Sequence, residues 1–163
     1  MQSYWIQSSA EQTTLERREV PLPEPAAGQV LVRLRAAGLN RGEFIAGHGL
    51  TKPGAAKPGG GEGAGEIAKL GDGVTGLHVG DRVLAGVGSG AMAEQVVVPA
   101  TGVVVLPGGV DLLDAPGFLY AYGTSHHALK DRAHLSEGET MVVLGAAGGV
   151  GLAAVELGAL AGA

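Results

Sequence analysis

Cysteine is absent from this sequence. Its absence excludes a disulfide framework, an iron–sulfur cluster, a thiolate zinc site and a cysteine nucleophile. Excess positive charge is also missing: 11 Lys and Arg stand against 16 Asp and Glu, a net charge of −5. Nucleic acids and anionic membrane surfaces are bound through surplus cations, so neither is expected as a partner. Long hydrophobic runs are missing as well; none approaches the roughly 20 residues that span a bilayer. The N-terminus, Met1-Gln2-Ser3-Tyr4-Trp5-Ile6-Gln7, lacks the basic start and apolar stretch of a secretory signal. A cytoplasmic protein is expected.

Glycine is what the sequence has in excess, 30 of 163 residues against an average share of about 7%. No Gly-X-Y period organises it, which excludes collagen. The glycines fall between short apolar runs, as the turns of a β-rich fold require. Apolar residues make up 45% of the chain, enough to build a core, and the length allows about one ordinary domain.

The first hundred residues read as short strands between Gly and Pro turns. Residues 14–20 form a strand closed by Pro21, Pro23 and Pro25, which cannot donate to a ladder. Val30, Val32 and Leu34 alternate with Arg33 and Arg35, one apolar face at period two. A short helix is expected after Asn40 through Phe44 and Ile45, followed by a loose stretch over residues 47–61. Residues 66–70, 81–85, 95–98 and 103–106 read as further strands, a spacing that suggests a barrel or a folded-over sheet.

The pattern changes near residue 111. Asp111 is placed as the N-cap of a helix through Ala115, and residues 125–132 as a second helix. Residues 140–144, Thr-Met-Val-Val-Leu, read as a strand buried on both faces of a parallel sheet. The strand enters Gly145-Ala146-Ala147-Gly148-Gly149-Val150-Gly151. Beyond it Val150, Ala153, Ala154, Leu157 and Ala161 recur at helical spacing. Strand, glycine turn and helix open a dinucleotide-binding βαβ unit. The pattern stops at Ala163, where a second parallel strand is expected. A lone βα unit is therefore read as the opening of a longer enzyme, truncated in this sequence.

The glycine turn carries the clearest local chemistry. Read as Ala146-x-Gly148-x-x-Gly151, it places Gly148 where backbone N–H groups approach a pyrophosphate and Gly151 where helix and strand touch. A second register, Gly149-x-Gly151-x-x-Ala154, fits the same fingerprint. The structural alternative is a tight turn of small residues packing a helix on a strand.

Motifs in order along nearly the whole chain carry a family resemblance. They are residues 30–33 through Ala37-Gly38-Leu39-Asn40, Gly61-Glu62-Gly63-Ala64-Gly65-Glu66-Ile67, Val79-Gly80-Asp81-Arg82-Val83 and Gly90-Ala91-Met92-Ala93-Glu94. Ala121-Tyr122-Gly123-Thr124-Ser125-His126-His127 and the approach from Gly138-Glu139-Thr140 to the glycine turn complete the set. The sequence resembles the zinc-independent medium-chain dehydrogenase/reductases of the quinone oxidoreductase group. That resemblance implies an α+β architecture: a GroES-like, β-rich partial barrel over residues 1–120. After it comes the first βα unit of an incomplete Rossmann domain over residues 121–163. It also implies hydride transfer from NADPH, with NADH as the other option, to a quinone or an α,β-unsaturated carbonyl. A homodimer is expected for a full-length form.

Zinc-dependent relatives place Cys where Asn40 stands and His where Gly61 stands. Neither ligand is present, and Glu62 alone cannot replace them. His48, His78, His126, His127 and His134 show no metal-ligand spacing, so no metal is expected.

By the same resemblance Asn40 lies near the nicotinamide, as a catalytic and cofactor-binding residue, and Tyr122 is a catalytic residue of the cleft. Thr124, Ala147, Gly148, Gly149, Val150 and Gly151 are cofactor-binding positions. Plain structural roles stand beside these: Asn40 and Thr124 as helix N-caps, Tyr120 and Tyr122 as core aromatics, Glu43 as a solvated helix residue, and His126 and His127 as packing or surface. Two other functions stand beside the oxidoreductase. One is a non-catalytic GroES-like binding or scaffold module with a vestigial dinucleotide turn, and the other is a zinc-type alcohol dehydrogenase.

Overall fold

A computed structural model describes residues 1–9, 11–45 and 54–163. His48 and residues 47–53 of the expected loose stretch lie outside the described residues. The chain divides into two compact units, Met1–Gly117 and Phe118–Ala163.

The first unit is two sheets. Strands β1 (Gln2–Ser8), β2 (Thr13–Glu19) and β4 (Lys57–Pro58) form a three-stranded antiparallel sheet with β1 in the centre. Strands β3 (Gln29–Ala37), β5 (Glu62–Leu70), β6 (Arg82–Gly86), β7 (Gln95–Pro99) and β8 (Val103–Val105) form a five-stranded antiparallel sheet in the order β7-β3-β5-β6-β8. The core lies on this second sheet, where Val30, Val32, Ile67, Val83, Ala85, Val96 and Val98 pack together. These are β-branched or small residues, which pack well against their neighbours on a pleated surface. The α+β, sheet-rich class expected from the sequence is the one observed.

Expected strand positions match closely, with three additions, one of them the two-residue β4 in the stretch expected to be loose. β1 was not expected, because its buried residues include Ser3 and Ser8, and two polar residues hide the apolar period. β5 begins four residues before the expected start, since Glu62, Gly63, Ala64 and Gly65 are buried residues of small volume apart from one carboxylate. The helix after Asn40 is a single 3₁₀ turn, Arg41–Glu43.

Two expectations are corrected. Asp111 does not open a helix. Its carboxylate accepts the Leu113 N–H at 2.9 Å and its carbonyl the Ala115 N–H at 3.1 Å, closing a turn that leads to a 3₁₀ segment, Ala115–Gly117. Residues 140–144 form no ladder with any described strand, and Val142 and Leu144 are 81% and 92% exposed. A parallel strand exists only through its partners, and none lies among the described residues.

In the second unit, α1 (Phe118–His126) begins seven residues before the helix expected there and runs into a wider π turn, His127–Arg132. α2 spans Gly149–Leu160, as the period of Val150, Ala153, Ala154 and Leu157 predicts. Among the described residues no helix is long and apolar enough to cross a membrane.

Candidate functional site

In the first unit, chemistry-bearing groups converge where β3 ends and β5 begins. Asn40 follows β3 with extended backbone (φ −105°, ψ 127°) and is half-buried. Its Nδ2 donates to Glu62 Oε1 at 2.9 Å. Glu62 opens β5 and is 1% exposed. Gly38 makes room for that carboxylate: a Cβ there would lie 2.5 Å from Glu62 Oε1 and 2.6 Å from its Cγ. Bulk at position 38 and a carboxylate at 62 exclude each other. A second carboxylate closes the cluster from the other side, since the Asn40 backbone N–H points to Glu43 Oε2 at 3.4 Å. Burial pushes the Glu43 carboxyl above its ordinary value. The backbone N–H groups of Asn40, Gly61 and Gly60 pull it back, and the charge of Glu62 adds to the upward push.

Beside this cluster lies an open groove of about 440 Å³. Ala37 and Leu39, the residues on either side of Gly38, line it together with Tyr4, Leu15, Leu34 and Met92. Its lining is mainly apolar, with Gln2, Arg35 and Glu94 as its polar or charged side chains. Glu94 is occupied there by the Gln2 N–H, and Arg35 pairs with Glu66 at 3.5 Å.

In the second unit the glycine turn leads directly into α2. Gly148 is the N-cap (φ −81°, ψ 158°) with no side-chain cap, so the first-turn N–H groups of α2 are left to other acceptors. Its N–H donates to the Gly145 carbonyl at 3.0 Å, and Gly145 takes φ +73°, a conformation that favours glycine. A Cβ on Gly148 would meet only the Gly145 oxygen, at an ordinary 3.5 Å. A Cβ on Gly151 would sit 2.9 Å from Ala146 Cα and closer still to the Gly145 carbonyl. Gly151 belongs to both registers, and a Cβ on Gly149 would meet only Ala121 Cβ, at 3.8 Å, so space does not separate the two. Gly151 is required by packing, while Gly148 keeps open a space that the protein does not fill. Such a cradle, with uncapped amides and positive helix-end potential, fits a pyrophosphate.

Thr124 and Ser125 lie within α1 rather than at its start, so neither caps it. Thr124 is exposed. Ser125 is 1% exposed and its Oγ donates to the Val150 carbonyl at 2.7 Å, which ties α1 to the first turn of α2. Tyr122 stacks on Phe118, rings 4.5 Å apart and 9° from parallel, and its hydroxyl donates to Glu156 at 2.5 Å. That bond to a carboxylate pushes the phenol up from its ordinary value. His127 pairs with Asp131 at 2.8 Å on the exposed face of the π turn.

The structure therefore brings together Asn40, Glu43 and Glu62 in one unit, and residues 145–151 with α1 in the other. The partners that sequence reasoning missed are Glu62 as the acceptor for Asn40, and Glu156 for Tyr122. The first had a trace in the sequence: a carboxylate flanked by Gly61, Gly63, Ala64 and Gly65 has no bulky neighbours to hold it at a surface. The second had none, since residues 122 and 156 are joined only by the packing of two helices. Among the described residues no three His, Asp or Glu side chains converge as a metal site.

Residues 26–108 match the alcohol dehydrogenase GroES-like domain. The human synaptic vesicle membrane protein VAT-1 homolog is 38% identical over 146 residues, covering 88% of this chain and 37% of that protein. A quinone oxidoreductase structure from Pseudomonas syringae pv. tomato superposes with a TM-score of 0.87 and 31% identity over 99% of this chain and 51% of that one. Escherichia coli quinone oxidoreductase, solved in complex with NADPH, gives a TM-score of 0.87 at 25% identity, over 99% of this chain and 50% of that one. The chain spans little more than a third of the human protein and about half of the two solved ones.

Proposed function

The chain belongs to the alcohol dehydrogenase GroES-like domain family, within the quinone oxidoreductase group of the medium-chain dehydrogenase/reductases, and from that premise we propose that it supplies the catalytic-domain portion of an NADPH-dependent oxidoreductase. The reaction proposed is zinc-free transfer of hydride to a quinone or an α,β-unsaturated carbonyl. The observation that carries this is the glycine turn at the N-terminus of α2. Gly148 leaves a cradle unfilled by protein while Gly151 is demanded by packing, the division of labour that a pyrophosphate site needs.

Ala147, Gly148, Gly149, Val150 and Gly151 would hold the dinucleotide phosphates through backbone N–H groups, and Thr124 and Asn40 would bind toward its nicotinamide end. The nicotinamide, when bound, supplies the hydride; the protein's task is orientation and exclusion of water. Asn40 does this as a neutral hydrogen-bonding group in the position where zinc relatives carry Cys. Tyr122 is not proposed as a proton source, because its hydroxyl is already committed to Glu156 and its proton is held more tightly. The apolar groove beside residues 37–39 favours a flat, weakly polar acceptor.

The test is turnover of NADPH by the full-length protein across a series of quinones and enones, with and without a chelator. Quinone-dependent oxidation that survives chelation, with no stoichiometric zinc by elemental analysis, is expected. Absence of both NADPH binding and turnover would overturn the oxidoreductase assignment. One tightly held zinc per chain would overturn its zinc-free form.

A further inference from the structure

Glu62 is a carboxylate set into a strand whose neighbouring residues are Gly and Ala, and it is 1% exposed. Burial of a charge in such a place is costly unless donors face it. The Asn40 amide is one such donor, at 2.9 Å. The absent side chain of Gly38 is what lets the carboxylate sit within reach.

The chemistry of this contact is one-directional. A carboxylate only accepts, whereas a carboxamide donates at one end and accepts at the other, and its two ends are nearly identical in shape. Left to itself, an asparagine side chain can turn over by 180° about its last torsion with little change in volume. Facing Glu62, only one of the two orientations makes a hydrogen bond; the other sets two oxygens against each other. Glu43 does the same for the backbone, accepting from the Asn40 N–H at 3.4 Å.

We propose that Glu62 is a positioning residue that fixes the orientation of the Asn40 carboxamide, Nδ2 toward β5, and so determines which end of the amide is offered to bound substrate or cofactor. The proposal rests on the placement of Asn40 at the nicotinamide end of the site. In this role Glu62 acts through Asn40.

The test uses the full-length protein. In the wild type, the Asn40 side-chain amide protons should be distinct in the ¹⁵N-resolved NMR spectrum, with one of them protected from exchange. An unprotected, freely exchanging pair would overturn the proposal before any variant is made. Glu62→Gln keeps the volume but can either donate or accept, so it no longer selects an orientation. We expect its quinone turnover number to fall about tenfold, the scale of a lost charge-assisted hydrogen bond, with KM for NADPH little changed. The double variant N40D/E62Q rebuilds the bond with its polarity reversed. Thermal stability should return toward wild type, which identifies the two side chains as a pair, while turnover stays low because position 40 then offers no amide.

Wild-type turnover in Glu62→Gln, or recovery of turnover in the double variant, would overturn the positioning role. Asn40→Ala separates this failure from that of the functional assignment. If Asn40→Ala loses activity and Glu62→Gln does not, only the Glu62 inference fails. If Asn40→Ala turns over normally, the placement of Asn40 has failed, and the NMR comparison alone decides whether Glu62 orients the amide.

Discussion

Ser125 reaches from the middle of α1 to the Val150 carbonyl, 2.7 Å away, and is the only polar side chain among the described residues of the second unit that is almost wholly buried. The bond joins α1 to the first turn of α2, the turn that follows the glycine cradle. Replacing Ser125 with Ala removes the donor and leaves the carbonyl with its helical partner alone. A loss of about 1–2 kcal/mol is expected, read as a lower denaturation midpoint of the second unit by chemical unfolding of the full-length protein. Hydrogen exchange at Ala154, whose N–H is the helical partner of the Val150 carbonyl, should rise with it. An unchanged midpoint would mean that helix packing alone holds the two elements together.

The glycine turn allows a cleaner test than most phosphate sites. A Cβ at position 148 meets nothing closer than 3.5 Å, and its backbone is extended, a conformation any residue adopts. Gly148→Val should therefore fold normally while its methyls occupy the space kept for phosphate, raising the Kd for NADPH by at least about tenfold. Gly151→Ala should behave in the opposite manner, because the new Cβ would press on Ala146 and the Gly145 carbonyl and unsettle the turn itself. Calorimetric titration and melting curves on both variants separate the two effects. Unchanged NADPH affinity in Gly148→Val would remove the cofactor from this turn.

Much of this was legible in the sequence, and the misses share a physical cause. Period-two alternation in β3 and helical spacing in α2 are local, so they survive as patterns in the chain. β1 was hidden because its inward positions are taken by Ser3 and Ser8 as well as Ile6. The apolar run at 140–144 has the composition of a buried strand, yet a strand is defined by a neighbour, which composition cannot supply. The same holds for the site. The glycine turn is contiguous and was found. The pairing of Asn40 with Glu62, 22 residues apart, depends on the registry of β3 with β5, and that registry is interrupted by shifts at Leu31/Val32 and Leu34/Ala36.

Glu43 gives the fold a pH dependence whose sign is fixed by the direction of its shift. Burial holds its folded-state carboxyl above the ordinary 4.5. As pH rises, the unfolded chain releases this proton first, so the folded state binds more protons over the interval between the two values. The stabilising contribution is complete below the unfolded value and is lost as pH climbs through the folded one. Glu43→Gln can still accept from the Asn40 N–H but has no proton to lose. Its stability curve should be flatter from about pH 4.5 upward, with a gain over wild type that grows toward neutrality. Denaturant midpoints measured from acid to neutral pH would show it. Parallel curves for the two proteins would mean that Glu43 is solvated well enough for burial to have no consequence.

The last prediction concerns surface rather than chemistry. Val142 and Leu144 are 81% and 92% exposed on a segment with no ladder partner among the described residues. Leu152 and Leu160 of α2 are 60% and 78% exposed. Backbone N–H and C=O groups without a ladder, next to apolar side chains, form a template for pairing with another chain. The 163-residue chain in isolation is therefore expected to self-associate, with oligomers seen by light scattering that grow with concentration. Substituting Val142 and Leu144 together with Lys adds like charge at the exposed segment and should shift the population toward monomer. It should leave the core of the first unit unaffected, since that core is built from β3, β5, β6 and β7. If the unsubstituted chain is a monodisperse monomer, the exposed apolar residues are covered within the chain itself, and the segment at 140–144 has a partner that its geometry does not show.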